Sequence, residues 1–134
     1  MSEALAGKVI LITGGTSGIG EACVRHFSAC GAKVVCASIQ QEEGQRLERE
    51  LKAMGRDVAF VYCDASSDAS VGELVKATLD RHGRIDGAMA NAGVWRQGKV
   101  TSATRDDLDL LMGVNVMGPV WLAKYLVLVY EKQG

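Results

Sequence analysis

Val9-Ile10-Leu11-Ile12-Thr13-Gly14-Gly15-Thr16-Ser17-Gly18-Ile19-Gly20 decides the fold. The apolar run Val9–Ile12 suits a strand buried on both faces, as in a parallel sheet. Glycines at 14, 18 and 20 then turn the chain, and Ile19, Cys23, Phe27 and Cys30 recur as the apolar stripe of a helix. A strand, a glycine turn and a helix N-terminus build a nest of backbone N–H groups that favours a phosphate. A Cβ in such a turn would keep a pyrophosphate off the backbone and hold the helix away from the strand.

The residues around the turn eliminate two other phosphate loops. A triphosphate loop needs Lys and then Ser or Thr after its last glycine. Gly15 and Gly20 have that separation, but Glu21 and Ala22 follow, so a carboxylate would face the phosphates and magnesium would find no hydroxyl. The fingerprint G-x-G-x-x-G fails as well, because Gly18-Ile19-Gly20 is followed by Cys23. What stands is Thr-Gly-x-x-x-Gly-x-Gly, from Thr13 to Gly20. In this motif the chain resembles the short-chain dehydrogenase/reductase family. The bland alternative is a tight glycine turn that holds no ligand.

Composition agrees with a single domain over residues 1–134. A net charge of −1 gives no field to gather nucleic acid or an acidic membrane. No apolar run is read as approaching the roughly 20 residues of a membrane span. The start, Met-Ser-Glu-Ala-Leu-Ala-Gly-Lys, lacks the apolar core of a secretory signal and carries Glu3 where a positive end belongs. Cys23, Cys30, Cys36 and Cys63 fall in apolar helix or strand patterns without metal-ligand spacing, which reads as buried thiols in a reducing, cytoplasmic compartment. His26 and His82 have no nucleophile and carboxylate around them and read as solvated or edge residues.

Strands and helices alternate along the chain. Strands are predicted near Lys8–Thr13, Lys33–Ser38, Asp57–Cys63 and Ile85–Ala90. Helices are predicted near Gly18–Cys30, Gln41–Met54, Asp68–His82 and Thr104–Gln133, with Leu47, Leu51 and Met54 inward on the second and Val71, Leu74, Val75 and Leu79 inward on the third. Such alternation across short connections means an α/β, doubly wound parallel sheet of Rossmann-like type. About four strands and four helices are expected, a domain incomplete at its C-terminus.

The resemblance extends residue by residue. It implies that Gly14, Thr16, Ser17, Gly18 and Ile19 of the turn contact NAD or NADP. At the end of the second strand such folds read the adenosine ribose with an acid for a 2′-hydroxyl or an Arg for a 2′-phosphate. Ser38 and Ile39 stand there instead, so NAD and NADP are both left open. Asp64, with Ala65 beside it, matches the family's contact to the adenine amine. Asn91-Ala92-Gly93 resembles its Asn-Asn-Ala-Gly turn, although Ala90 replaces the first Asn. Val114 is implied as a contact beside the nicotinamide. Asn115 shares a helical face with Leu108, Leu111 and Met112, which predicts an amide buried among apolar side chains. Pro119, lacking an N–H, would leave the Asn115 carbonyl free and kink the helix. In the family the matching Asn serves the catalytic relay through a water.

The family's chemistry also needs a Ser, a Tyr and a Lys four residues after that Tyr, the Lys lowering the phenol's pKa. Four residues after Tyr62, Tyr125 and Tyr130 stand Ser66, Val129 and Gly134. The expectation is therefore the cofactor half of an oxidoreductase that moves hydride between a nicotinamide and an alcohol or carbonyl. Two alternatives are a dinucleotide-binding module without turnover and a truncated partner of a complete relative. For pairing, the last helix would offer Trp121, Leu122, Tyr125, Leu126 and Val129. Trp95 and Arg96 are candidates for lining a substrate site.

Overall fold

The computed structural model describes residues 2–134. Four strands, β1 (Val9–Thr13), β2 (Lys33–Ser38), β3 (Val58–Tyr62) and β4 (Gly87–Met89), form one parallel sheet in the order β3-β2-β1-β4. The connecting helices are α1 (Gly18–Ala29), α2 (Gln41–Ala53) and α3 (Asp68–His82), and after β4 come α4 (Arg105–Met112) and α5 (Gly118–Gln133). Gly83 in the left-handed region ends α3, where a side chain would be strained.

Successive strand residues face opposite layers. Leu11 and Val35 pack with Val71, Leu74, Leu122 and Leu126 of α3 and α5, while their neighbours Ile12 and Val34 pack with Val24, Leu47 and Leu51 of α1 and α2. That two-sided burial is why the strand sequences are continuously apolar. From β1 the chain winds outward through β2 to β3, then returns to place β4 on the other side of β1. The reversal opens a crevice at the C-terminal ends of β1 and β4, the place where open α/β sheets bind ligands.

Several expectations are corrected. On α1 Gly20, Val24 and Ser28 are buried, Cys23 and Phe27 pack against the core and Cys30 is buried just beyond the helix, so the expected stripe holds except at Ile19, which is 72% exposed. On α2 Leu47 and Leu51 are buried as expected and Gly44 lies against the Phe60 ring, while Met54, expected inward, caps the helix and is exposed. β4 is shorter than predicted: Gly87–Met89 follow the ladder of β1. Upstream of it, the Gln133 side chain exchanges two 2.9 Å hydrogen bonds with the Ile85 backbone.

The last predicted helix is one helical stretch, Arg105–Gln133, with a wide turn inside it. At Gly113–Met117 the backbone adopts a π-helix, and the Gly118 N–H reaches back five residues to the Gly113 carbonyl. The wide turn directly precedes Pro119, whose missing N–H disturbs the α-helical ladder. By length and composition this stretch is apolar enough to cross a membrane, which corrects the reading of the sequence; Leu122, Leu126 and Val129 use part of that apolarity within the core. α5 is tied to α3 at the surface, where Tyr125 donates to Asp68 at 2.6 Å and Lys124 at 2.9 Å.

Candidate dinucleotide site

The crevice is built by two turns sewn together. At the end of β1 the Thr13 hydroxyl accepts the N–H groups of Asn91 and Ala92, each at 3.1 Å. In return the Asn91 amide donates to the Gly14 carbonyl at 3.1 Å. This closeness explains the glycines. A Cβ on Gly14, whose φ is +66°, would stand 2.8 Å from the Ala92 Cα, and one on Gly20 would overlap the Gly14 carbonyl. A Cβ on Gly15 would lie 2.6 Å from the Cys36 sulfur.

Gly18 differs. Its φ is +53°, but a Cβ there would meet nothing within 4 Å, so protein packing leaves that space open above the turn. Ser17, the residue before α1, makes no side-chain cap, and the first-turn N–H groups keep their donor capacity. Open space beside uncapped donors at a glycine turn fits a pyrophosphate.

A cleft of about 350 Å³ runs from this turn. Gly14, Thr16, Ser17, Ser38, Ile39, Asp64, Ala65, Asn91, Ala92, Gly93 and Val114 all line it, so the structure gathers most of the sequence-predicted residues at one place. Gly18 and Ile19 begin α1 outside that lining, and Ile19 faces solvent. Asp64 accepts from Ser66 through both its N–H (3.0 Å) and its hydroxyl (2.7 Å), an Asx turn that orients the carboxylate at the cleft wall.

Asn115 departs from expectation. Its side chain is exposed, because Leu108 and Met112 on the same face are themselves exposed. The amide instead pairs with the Val94 backbone, accepting its N–H at 2.8 Å and donating to its carbonyl at 2.7 Å. Asn115 thus ties the π turn to the segment after β4.

Gln40 and Val94 line the cleft although the sequence did not single them out. A polar residue two positions after Ser38, at the entry to a helix, was the available signal for Gln40. Among the thiols, burial pushes Cys36 up to about 12 and raises Cys63. Both therefore stay protonated near neutral pH. All four cysteines are unpaired, and no metal-ligating cluster occurs among the described residues.

The fold and this crevice define a nucleotide-binding α/β protein of the dehydrogenase kind. The family model for short chain dehydrogenases matches residues 8–134, and the chain belongs to that family. An uncharacterized oxidoreductase of Thermotoga maritima is 41% identical over 128 residues, covering 96% of this chain and 50% of the relative. A short chain dehydrogenase/reductase of Burkholderia phymatum, solved in complex with NAD, superposes with a TM-score of 0.91 at 32% identity, over 96% of this chain and 46% of its own. The 3-ketoacyl-(acyl-carrier-protein) reductase of Brucella melitensis, solved with NADH, gives a TM-score of 0.90 at 32% identity, over 96% and 52%. The chain spans about half the length of the relatives it matches.

Proposed function

We propose that these residues form the cofactor-binding portion of an NAD(P)-dependent oxidoreductase that interconverts an alcohol and a carbonyl. The observation that carries this reading is the convergence of the β1 glycine turn, the end of β2, Asp64-Ala65 and Asn91–Gly93 on one cleft. Gly14, Thr16, Ser17 and Gly18 would hold the pyrophosphate, with Ile19 opening the helix behind it. Ser38 and Ile39 would flank the ribose, Asp64 and Ala65 the adenine, and Asn91, Ala92, Gly93 and Val114 the nicotinamide end. A bound nicotinamide supplies the hydride donor or acceptor.

Asn115 spends its side chain on Val94, so a part in proton relay would fall to its backbone carbonyl. No Tyr in these residues is followed four positions on by Lys, and the acid–base step belongs to the whole protein. Free, mostly buried thiols support a cytoplasmic setting. Association of copies through the long helix is supported by exposed Leu108, Met112, Val127 and Leu128. The residues first expected to serve it, Leu122, Leu126 and Val129, are buried in the chain's own core, with Trp121 and Tyr125 packed against them.

Gly18→Val is the discriminating variant, because it fills space that no protein atom uses, whereas a side chain at 14 strikes Ala92. Left-handed backbone at a non-glycine residue costs roughly 1–2 kcal/mol, and a β-branched side chain more, so the melting point should fall modestly. NADH binding, followed by nicotinamide fluorescence, should be abolished. Unchanged affinity in a folded variant would refute the cofactor assignment.

A further inference from the structure

Two glycines in the last helical stretch have no conformational reason to be there. Gly113 has φ −60° and ψ −51°, and Gly118 has −54° for both. That is right-handed helical backbone, in which alanine is more stable than glycine. The reason lies in what a side chain would strike. A Cβ on Gly118 would stand 2.9 Å from the Ala65 carbonyl oxygen, and one on Gly113 would stand 3.2 Å from the Ser66 Cβ. Both glycines therefore give up helix stability for close approach to the same loop, Asp64–Ser66.

That loop lines the cleft through Asp64 and Ala65 and meets the π turn through the Ala65 carbonyl and Ser66. Ser66 is also the residue that aims the Asp64 carboxylate, by its N–H and its hydroxyl. On the other side the loop is tied to α3, where the Asp64 N–H donates to the Ser70 hydroxyl at 3.0 Å. Gly113 and Gly118 stand outside the cleft lining, whereas Val114 between them belongs to it. Ala65, Ala92, Val114 and Gly118 border one small internal space behind the cleft. The same turn holds the Val94 backbone through Asn115, so a single piece of helix touches two walls of the cleft. A methyl at 113 would displace Ser66 by a few tenths of an ångström, and one at 118 would push on the loop backbone itself.

We propose that Gly113 and Gly118 are positioning residues for the cofactor: their bare Cα atoms let the π turn bear directly on Asp64–Ser66, which fixes the adenine wall of the cleft relative to Val114 at the nicotinamide wall. The inference rests on the dinucleotide reading of the cleft and goes beyond it. Each glycine acts through the loop residue it supports. Gly118 acts through the Ala65 backbone, and Gly113 through Ser66, whose hydroxyl aims Asp64.

The test is calorimetric titration of the full-length protein with ADP, which carries adenine, ribose and pyrophosphate but no nicotinamide, and with NADH. Gly113→Ala should weaken ADP about tenfold, the effect of one misplaced hydrogen bond, and NADH by a similar factor. The variant should keep its fold, because alanine suits helical backbone, and a thermal melt verifies this. Ser66→Gly removes the atom that the new methyl would meet. In that background Gly113→Ala should change ADP affinity by less than about twofold, because the two sites are coupled through their contact. Gly118→Ala meets backbone instead and should weaken ADP in both backgrounds; if it fails to fold, the Gly113 and Ser66 pair decides alone. A role in helix stability would give Gly113→Ala the same effect with and without the Ser66 side chain, and that result would overturn the proposal. A folded variant at either glycine with the parent's ADP affinity would overturn it as well. Binding of neither nucleotide by the parent would overturn the cofactor reading, and the positioning role with it.

Discussion

Cys36 shows how tightly the glycine turn is packed onto the sheet. It is 1% exposed, its sulfur fills the space where Gly15 would carry a Cβ, and the Gly15 N–H bonds the Ala37 carbonyl alongside it at 3.2 Å. Burial raises this thiol from 9.0 to about 12. A group whose folded pKa lies above its unfolded value contributes stability below the unfolded pKa and loses it as pH rises toward the folded one. Between about pH 9 and 12 the unfolded chain therefore binds fewer protons at this site, and stability falls by up to about 1.4 kcal/mol per pH unit. Urea unfolding from pH 8 to 10.5 should show that alkaline loss in the parent and a shallower one in Cys36→Ala, once their neutral-pH difference is subtracted. Parallel profiles would mean the thiol ionises as freely in the fold as out of it.

The helical stretch after β4 is held at its internal π turn and at its C-terminal end by side-chain amides that imitate a strand. Asn115 pairs with the Val94 backbone and Gln133 with that of Ile85, so α5 is fastened along the β4 segment. Each such hydrogen bond contributes about 0.5–1.5 kcal/mol net, and partial exposure puts Asn115 at the lower end. Asn115→Ala should cost about 1–2 kcal/mol by that reckoning and speed hydrogen exchange at the Val94 amide. Exchange at Val94 as slow as in the parent would show that the loop is held by something else. The sequence made the elements legible because local signals and burial agree there: Gln41 and Asp68 start helices where predicted, and Lys33–Ser38 is a strand to the residue. Asn115 was misjudged because helical periodicity says which residues share a face, not whether anything covers that face. Ile19 alone leaves the expected stripe on α1 for a related reason, since Gly20 turns inward by close backbone approach, a contact that hydrophobicity does not encode. The Thr16 hydroxyl meets the side chains of Ser38 and Gln40 more than twenty residues away, and no spacing rule reveals that contact.

At the scale of the whole molecule, the two sheet edges and the long helix meet solvent differently. β3 lies at one edge, and the Glu48 carboxylate covers its Phe60 N–H at 2.7 Å, a device that blunts strand addition. β4 lies at the other edge, only three residues long. Along Arg105–Gln133, Leu108, Met112, Val116, Val120, Val127 and Leu128 are all exposed, Leu128 by 55%. A large side chain left in water forfeits roughly 1.5–3 kcal/mol of burial. Several such losses rival the roughly 5–15 kcal/mol of net stability that a domain has. A polypeptide of these 134 residues by themselves should therefore associate or aggregate at micromolar concentration and unfold at moderate temperature. Ligand linkage should oppose this, adding about 2.7 kcal/mol when NADH is present at a hundred times its dissociation constant. Light scattering with thermal melts, with and without NADH, gives both readings at once. Association that survives Leu128→Glu and Met112→Glu together would place the contact on another surface. A monodisperse monomer melting cooperatively above about 60 °C, near the upper range of ordinary domains, would show that four strands and an open helical face make a sufficient fold.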